Sequence, residues 1–252
     1  MPLVRKTFLC RGVFRRAILS FLSKRVKHPI MTDFRGVPII LQLDNTTERK
    51  VLFGHYDLKE LDFLKGGYIR DDPVFVDVGA NCGFYTQNFL ALGKGVVLAI
   101  EPNPKMCERV MRNYDFLQKK STAPISHLIL ENYAVGEVEC ETHLDLNLGA
   151  GAASIVNSIN ENTIKVSLLP LKNILSNNNI DKIDVLKIDI EGFEDRALVP
   201  FFESSPKSLW PKRIVIEHTS KDEWKYDLSE TFESCGYNVI EKTRGNLLLQ
   251  RG

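Results

Sequence analysis

The stretch from Asp77 to Gly83, Asp-Val-Gly-Ala-Asn-Cys-Gly, constrains the fold more than any other part of the chain. It follows an apolar run, residues 73–76, and precedes residues 85–92, whose pattern predicts a helix. Glycines permit a tight turn and a close approach of the backbone to a ligand, because they carry no Cβ. The pattern therefore predicts a strand, a glycine-rich turn and a helix whose first N–H groups face a polar ligand.

The sequence spacing between this turn and the next strand-end acid, Glu101, is also informative. Glu101 comes 18 residues after Gly83 and ends a second apolar run, residues 95–100. An acid at the end of the second strand is placed to accept hydrogen bonds from ribose hydroxyls. The spacing predicts a cofactor that contains a nucleoside. The alternative for the glycine motif alone is a tight turn between a strand and a helix in another α/β protein.

The residue types in the turn distinguish between nucleoside cofactors. A dinucleotide fold favours G-x-G-x-x-G, because the pyrophosphate lies on bare backbone. Here the pattern is D-x-G-x-N-x-G, and Asp77 would repel a pyrophosphate but suits a ligand that carries an ammonium group. S-adenosylmethionine has an ammonium, a sulfonium and a ribose but no phosphate. It is the predicted cofactor.

Alternating strand and helix patterns from Val74 onward predict a mostly parallel sheet wrapped by helices. The five predicted core strands are residues 74–78, 96–100, 127–130, 183–189 and 213–217. Residues 237–241 and 246–250 predict a terminal hairpin, which is typical of methyltransferases and unusual in dinucleotide-binding sheets. Residues 137–169 break the alternation, with predicted strands near 138–142 and 164–168 and a flexible connection at 149–154.

Three segments are predicted along the chain. Residues 1–34 form a basic amphipathic N-terminal segment, residues 35–72 a cap with a strand (37–43) and a helix (56–66), and residues 73–252 the cofactor-binding domain. The first thirty residues hold eight basic side chains and no acid, whereas the rest carry 25 basic and 32 acidic residues.

The apolar positions of residues 14–22 repeat at helical spacing. This basic helix suits peripheral contact with an anionic membrane surface, and packing on the domain is the alternative. A secretory signal is disfavoured, because Lys24 and Arg25 stand where a cleavage site would be, and a mitochondrial presequence remains open.

Bulk composition is that of an ordinary globular chain, with 44% hydrophobic and 26% charged residues. No apolar run approaches twenty residues, so the sequence predicts no transmembrane helix. The five cysteines are scattered and include no C-x-x-C pair, which favours a reducing compartment over a disulfide framework or structural zinc. We expect a cytoplasmic protein, peripheral to a membrane at most. The acidic core and the lack of an N/D-P-P-Y/W tetrapeptide disfavour a nucleic-acid partner.

Taken together, the motifs resemble the FkbM family of S-adenosylmethionine-dependent methyltransferases over roughly residues 35–250. The stretches that carry the resemblance are residues 77–83, 101–104, 132–136, 151–155, 184–194 and 214–218. The run Lys-Ile-Asp-Ile-Glu-Gly-Phe-Glu at 187–194 is the most specific. The resemblance implies a class I methyltransferase Rossmann-like fold, with a mostly parallel seven-stranded sheet, an antiparallel C-terminal hairpin strand and a small N-terminal cap. It also implies methyl transfer, most often to a hydroxyl of a sugar, glycolipid or secondary metabolite.

The resemblance also implies roles for individual residues. The methionine and ribose part of the cofactor would contact the turn and the residues beside it: Asp77, Gly79, Ala80, Asn81, Gly83, Tyr85 and Asp189. Glu101 would hold the ribose hydroxyls. The adenine would lie among Pro102, Asn103, Asn132 and Ala134.

Candidate catalytic residues follow from the strand ends, because ligands of such sheets bind outside the carboxyl ends of the strands. Asp189 ends the fourth core strand, and His218 follows the fifth. A hydroxyl becomes a good nucleophile when a base accepts its proton during attack, and a histidine has a suitable pKa. We predict catalytic roles for Asp189, Glu191 and His218. The alternative is that Glu191 caps the helix that follows the fourth core strand.

A metal-assisted mechanism is the other possibility at these strand ends. Catechol-type O-methyltransferases take magnesium ligands from the same places, and Asp189, Glu217 and His218 resemble that arrangement loosely. A hard cation prefers oxygen ligands, and the histidine departs from this. We therefore predict a base without a metal ion. Two rival functions remain: N-methylation of an amine or protein, and a non-catalytic, membrane-associated binding protein.

Overall fold

The computed structural model describes residues 26, 28–52, 54, 56–146, 154–156 and 160–252. The predicted amphipathic helix at 14–22 lies outside the described residues, and so does most of the predicted flexible connection at 149–154. Within the described ranges, no helix combines the length and the hydropathy that a bilayer span requires.

The N-terminal cap consists of a hairpin and two short helices: β1 (Ile30–Phe34), β2 (Val37–Leu41), α1 (Thr46–Leu52) and α2 (Leu58–Lys65). The strands are antiparallel, and the turn between them has positive φ at Arg35 and Gly36. Strand β1 and helix α1 were not predicted from the sequence. The predicted boundary between residues 34 and 35 falls inside this hairpin turn.

The main domain begins with alternating strands and helices: β3 (Val74–Val78), α3 (Phe84–Leu90), β4 (Val96–Ile100), α4 (Pro104–Lys120) and β5 (His127–Glu131). It continues, after a small second sheet, with α5 (Leu171–Asn177), β10 (Val185–Ile188), α6 (Glu194–Ser204), β11 (Arg213–Glu217), α7 (Leu228–Ser234), β12 (Tyr237–Lys242) and β13 (Asn246–Arg251). Helix α5 was not predicted.

The main sheet has seven strands in the order β12-β13-β11-β10-β3-β4-β5. Strands β11, β10, β3, β4 and β5 are parallel neighbours, and β13 pairs antiparallel with β11. This is the class I methyltransferase Rossmann-like arrangement, and it confirms the predicted fold, including the antiparallel hairpin strand. Because β10 and β4 flank β3, the carboxyl ends of these three strands meet at one edge.

The interrupted region forms a second sheet of four strands: β6 (Ala134–Val135), β7 (Cys140–Asp145), β8 (Ser154–Val156) and β9 (Thr163–Leu169), in the order β6-β9-β7-β8. Strand β9 pairs antiparallel with β7, so the two strands predicted in this region lie side by side. This small sheet lies next to the carboxyl end of β5, because β6 follows β5 after two residues.

The cap packs on one face of the main sheet and shares its core. Alternate residues of a strand point to opposite faces, and Phe75 points to the cap side. There it lies in one apolar cluster with Phe34, Leu61 and Phe89. Asp77 and Lys187 occupy the same face, two residues further along their strands. The cap therefore covers the strand positions from which these two charged side chains project.

Candidate functional site

A large cavity of about 1280 Å³ opens at the carboxyl ends of β3, β4, β10 and β11. Its walls come from the loops after these strands, from the cap helices α1 and α2, and from the turn between β12 and β13. The small sheet closes another side through Leu144 and Ile155. The predicted position of the site, outside the strand ends, is thus the position of this cavity.

The turn after β3 is held by close backbone contacts. The N–H groups of Gly79 and Ala80 both donate to the carbonyl of Ile100, at 2.9 and 3.1 Å. Gly79 has φ +76°, and a Cβ there would stand 2.0 Å from the carbonyl oxygen of Asp189. Only glycine fits this conformation and this contact. Gly79, Ala80 and Asn81 line the cavity.

Gly83 ends the turn and begins helix α3. Its φ of +80° places it in the left-handed region at the N-terminal cap position. The residues that line the cavity in the described part of the chain do not include Gly83, whereas Tyr85 is among them. Gly83 thus shapes the turn, and the phenol of Tyr85 faces the open space.

Asp77 is buried below the turn. Its Oδ2 accepts hydrogen bonds from the backbone N–H and the hydroxyl of Thr86, at 3.0 and 2.6 Å. Burial raises the pKa of Asp77 to about 6, against the lowering effects of the Thr86 hydrogen bond and the charge of Lys187. The carboxylate therefore anchors the start of α3 as well as bordering the cavity.

Glu101 directly follows β4, the strand next to β3, and lines the cavity. Its Oε2 accepts from the N–H of Asn81 at 2.7 Å, and its Oε1 accepts from the N–H of Asn103 at 2.9 Å. Burial raises the pKa of Glu101 to about 7, although both backbone bonds favour the charged form. The carboxylate therefore joins the glycine turn to the loop after β4.

The predicted adenine side is formed by two loops. Pro102, Asn103 and Ala134 line the cavity. Asn132 lies behind this wall in a separate shallow depression, and its Nδ2 donates to the carbonyls of Glu101 and Pro102 at 2.8 and 2.9 Å. Apolar side chains that sequence reasoning did not select complete this region of the wall: Met106, Tyr133, Val135, Leu144 and Ile155.

These residues fit S-adenosylmethionine. Gly79 and Ala80 line the cavity, so this cradle carries no bulky side chain where a ligand approaches. A buried carboxylate, Glu101, stands at the end of the neighbouring strand, where ribose hydroxyls can donate to it. The apolar wall beyond Glu101 suits a flat base such as adenine.

Two of the three predicted catalytic residues, Asp189 and Glu191, line the cavity. Glu191 has a φ of 53°, in the left-handed region that few residues other than glycine adopt. Burial, followed by repulsion from Asp189 and Glu217, raises the pKa of Glu191 to about 7. A carboxylate with this pKa is partly ionised at neutral pH and is more basic than an ordinary glutamate.

His218 lies outside the cavity wall. Its ring Nε2 is 3.2 Å from the carbonyl oxygen of Thr243, and its backbone N–H donates to Gly245 at 3.0 Å. The described residues that line the cavity do not include His218. The structure therefore places the histidine against the turn between β12 and β13, which itself borders the cavity.

Three carboxylates near the ends of β10 and β11 approach one another. One oxygen each of Asp189, Glu194 and Glu217 lies within 4.8 Å of the others. Glu194 also accepts hydrogen bonds from the N–H of Ile190 at 2.8 Å and from the indole of Trp224 at 2.9 Å. The sequence suggested Asp189, Glu217 and His218 as a loose match to magnesium ligands. The structure brings Asp189 and Glu217 together with Glu194 instead of His218.

Sequence reasoning missed several charged residues of the cavity, among them Lys187 and Asp57. Lys187 is buried on strand β10, and a lysine inside an otherwise apolar strand was the signal for it. Asp57 precedes α2 with a φ of 45°, and its Oδ2 accepts a hydrogen bond from the hydroxyl of Tyr85 at 2.9 Å. Burial and the charge of Glu60 raise the pKa of Asp57. No local pattern marks Asp57, because its place depends on how the cap packs.

Comparisons with solved structures give several similar folds. An FkbM methyltransferase from Methylobacillus flagellatus KT is 16% identical, with a TM-score of 0.47, over 94% of this chain. This chain spans 59% of the length of that protein. A precorrin-6y C5,15-methyltransferase from Geobacter metallireducens is 14% identical, with a TM-score of 0.46, over 84% of this chain and 92% of that one.

A third similar structure is M. jannaschii TYW2 in complex with AdoMet, at 13% identity and a TM-score of 0.41. That match covers 90% of this chain and 88% of TYW2. Among curated proteins, no sequence matches the chain.

A family model identifies the chain. The model of the methyltransferase FkbM domain matches residues 77–239, from the acid at the end of β3 to the first half of β12. The match spans more than half of the sequence and includes the glycine turn, Glu101 and the residues after β10. The chain therefore belongs to the FkbM methyltransferase family, and its cofactor is S-adenosylmethionine.

Proposed function

We propose that the protein is an O-methyltransferase that methylates a hydroxyl group of a sugar, glycolipid or secondary metabolite. The observation that carries this proposal is Glu191, a carboxylate in the cavity wall whose pKa is raised to about 7 by burial and by neighbouring acids. A hydroxyl needs a base during attack, and general bases work best when their pKa is near the working pH. Glu191 supplies such a base beside the strand ends.

The walls near Glu191 support a polyhydroxylated acceptor. Glu217, Thr219, Thr243 and Asn246 line this part of the cavity and present carboxylate, hydroxyl and amide groups. Such groups pair with hydroxyls in either direction, since they include both donors and acceptors. These groups bond to one another and to Glu60 in the structure, so an acceptor hydroxyl would join an existing polar network.

When bound, S-adenosylmethionine would supply a methyl group from its sulfonium, and the sulfur would be left as the neutral thioether of S-adenosylhomocysteine. Glu191 accepts the hydroxyl proton on a carboxylate oxygen as the acceptor oxygen forms its new bond to carbon. Asp189 follows the same strand as Glu191, with its carbonyl against Gly79, and orients the acceptor hydroxyl. Much of the acceleration comes from holding the reacting groups in line within the cavity.

The proposed mechanism relies on a carboxylate base and on no metal ion, and EDTA treatment tests this. Turnover should be unchanged by EDTA. Loss of turnover with EDTA and its recovery with Mg²⁺ would contradict the metal-free base. The oxygen ligands would then be Asp189, Glu194 and Glu217, whose oxygens already lie close together.

The central test is methyl transfer from methyl-labelled S-adenosylmethionine to matched acceptor pairs. Each pair is a glycoside or glycolipid and its amino-deoxy counterpart, so only the nucleophile differs. We expect label on the hydroxyl compound, a kcat/KM that rises with pH through about 7, and a loss of about 10²–10⁴-fold in Glu191→Gln. Glu203→Gln, on the exposed side of α6, is the matched control.

Two results would contradict this account. Label only on the amines would favour N-methylation. Binding of S-adenosylhomocysteine without transfer to any member of the panel would favour a non-catalytic binding protein. The variant His218→Asn tests whether His218 has the catalytic role predicted from the sequence. In the structure the imidazole of His218 contacts a backbone carbonyl of the hairpin turn and does not line the cavity.

A further inference from the structure

A buried lysine stands at the floor of the cavity. Lys187 is 2% exposed and lies in the middle of the parallel sheet. Lysine side chains are rarely buried to this extent in proteins. Its Nζ lies 3.2 Å from Oδ2 of Asp189, 3.3 Å from the carbonyl of Ile188 and 5.5 Å from the ring centroid of Tyr85. It nevertheless lines the cavity.

Carboxylates outnumber this cation in its surroundings. The positive charge of Lys187 counteracts the burial that raises the pKa values of Asp57, Asp77 and Glu191, and Asp189 contacts it directly. The other cations in the cavity wall are half-buried or exposed: Arg49, Lys50, Lys59 and Arg244. Among the described lining residues, Lys187 is therefore the one buried cation, set among several acids.

The position of Lys187 relative to Glu101 matches the two ends of the cofactor. Strand β3 lies between β4, which Glu101 directly follows, and β10, and Lys187 is in register with Asp77. Two strand spacings separate the strands of Glu101 and Lys187, about 10 Å in all. A ribose held at Glu101 leaves the amino-acid end of S-adenosylmethionine to extend across the glycine turn towards β10.

The amino-acid end of the cofactor is a zwitterion, and this region offers both of the charges that it needs. Asp77 is already engaged by two bonds from Thr86. Asp57, which the Tyr85 hydroxyl contacts at 2.9 Å, and Asp189 both face the cavity. We propose that Lys187 binds the α-carboxylate of S-adenosylmethionine, while Asp57 accepts a hydrogen bond from its α-ammonium.

This inference depends on the cofactor alone and not on the acceptor hydroxyl. It also gives a reason for keeping a charged residue in the sheet, because a hydrophobic residue of similar volume would pack there without the desolvation cost. By binding the carboxylate, Lys187 recognises the amino-acid end of the ligand, which the ribose and adenine contacts do not reach.

The test is a binding cycle, measured by calorimetry on the full chain, that varies both the ligand and the lysine. The ligands are S-adenosylhomocysteine, its decarboxylated analogue and 5′-methylthioadenosine, which lacks the whole amino-acid end. The proteins are the wild type and Lys187→Met. Lys182→Met is the matched control, because Lys182 pairs with Asp72 at 3.2 Å and does not line the cavity.

We expect Lys187→Met to weaken S-adenosylhomocysteine binding by at least tenfold, as for the loss of a charge-assisted hydrogen bond, and to change 5′-methylthioadenosine binding by less than threefold. The decarboxylated analogue should bind wild type and variant alike. Equal losses for all three ligands would show a structural role and overturn the proposal, as would no loss for any.

The wild type alone provides a second arm, which does not depend on the folding of the variant. It should bind S-adenosylhomocysteine at least tenfold more tightly than the decarboxylated analogue, and equal affinities would overturn the proposal. Neither arm uses an acceptor or measures turnover. Failure of the O-methylation proposal therefore leaves these binding results unchanged, and failure here leaves the acceptor tests unchanged.

Discussion

The backbone of Gly79 packs directly against the carbonyl of Asp189, so closely that a Cβ at position 79 would stand 2.0 Å from the carbonyl oxygen. The contact joins the glycine turn after β3 to the carboxyl end of β10. One side of the contact belongs to the proposed cofactor cradle and the other to a proposed catalytic carboxylate. This backbone contact therefore fixes the glycine turn relative to the carboxyl end of β10.

Gly79→Ala should disrupt this contact. The new methyl group cannot occupy the space beside the Asp189 carbonyl, and alanine also disfavours the φ of +76°. We expect S-adenosylhomocysteine affinity to fall more than tenfold and the melting temperature to fall. Gly36→Ala is the control, since Gly36 has a φ of +91° but no atom within 4 Å of its Cβ position. If Gly79→Ala and Gly36→Ala bind S-adenosylhomocysteine equally well, the close contact between Gly79 and the Asp189 carbonyl is not important for binding.

Replacement of Glu101 should weaken the cofactor site without removing the cavity. Its two oxygens accept from the N–H groups of Asn81 and Asn103, and a glutamine would turn an NH₂ group towards one of these donors. We expect Glu101→Gln to raise the Kd of S-adenosylhomocysteine at least tenfold, or about 1.4 kcal/mol. Glu131→Gln, at the end of the neighbouring strand β5, should leave the Kd unchanged. Unchanged binding by Glu101→Gln would show that Glu101 does not hold the ribose.

The stability of the ligand-free protein should depend on the ionisation of Glu191. Its pKa is raised in the folded state from 4.5 to about 7, so the folded state binds the proton more tightly than the unfolded state. This contribution to the free energy of unfolding is fully present below about pH 4.5 and is lost as the pH rises through about 7.

Urea unfolding at several pH values between 5 and 8 measures this effect. The free energy of unfolding should decrease less steeply with pH in Glu191→Gln than in the wild type, because the glutamine does not titrate. Glu203→Gln should follow the wild type. Identical slopes for wild type and Glu191→Gln would mean that the pKa of Glu191 is not raised.

The basic segment at residues 1–30 is proposed to contact anionic membranes peripherally. Its eight basic side chains without any acid should attract vesicles that contain anionic lipid, and the attraction should weaken with salt. Removal of residues 1–30 should abolish sedimentation with such vesicles at low salt. Neutral vesicles are the control. Unchanged binding by the shortened chain would end this proposal.

Long, strongly patterned segments were predictable, because their local signals agree with the tertiary structure. The turn at 77–83, the acid Glu101 and the terminal hairpin each have a sequence signature. Helix α1 does not, since its seven residues, Thr46–Leu52, are too short to show a stripe and directly follow an asparagine, a residue typical of turns. That asparagine, Asn45, accepts hydrogen bonds from the first two N–H groups after Thr46.

The candidate site was predictable where it depends on strand ends and unpredictable where the cap contributes. Glu101 and Asp189 follow from the order of strands. Asp57 joins the cavity only because α2 packs across the sheet, an arrangement that depends on contacts distant in sequence. His218 shows the converse, because a residue directly after a strand still turned its ring to the hairpin, where the Thr243 carbonyl lies 3.2 Å away.

The most direct test of the account is the thermal and chemical stability of the full chain with and without S-adenosylhomocysteine. A ligand that binds only the folded state adds about 2.7 kcal/mol at a hundred times its Kd. We predict a clear upward shift in the melting temperature with S-adenosylhomocysteine, a smaller shift in Glu101→Gln at the same concentration, and none with NAD. No shift for the folded wild-type protein, or an equal shift with NAD, would contradict the assignment of this cavity to S-adenosylmethionine.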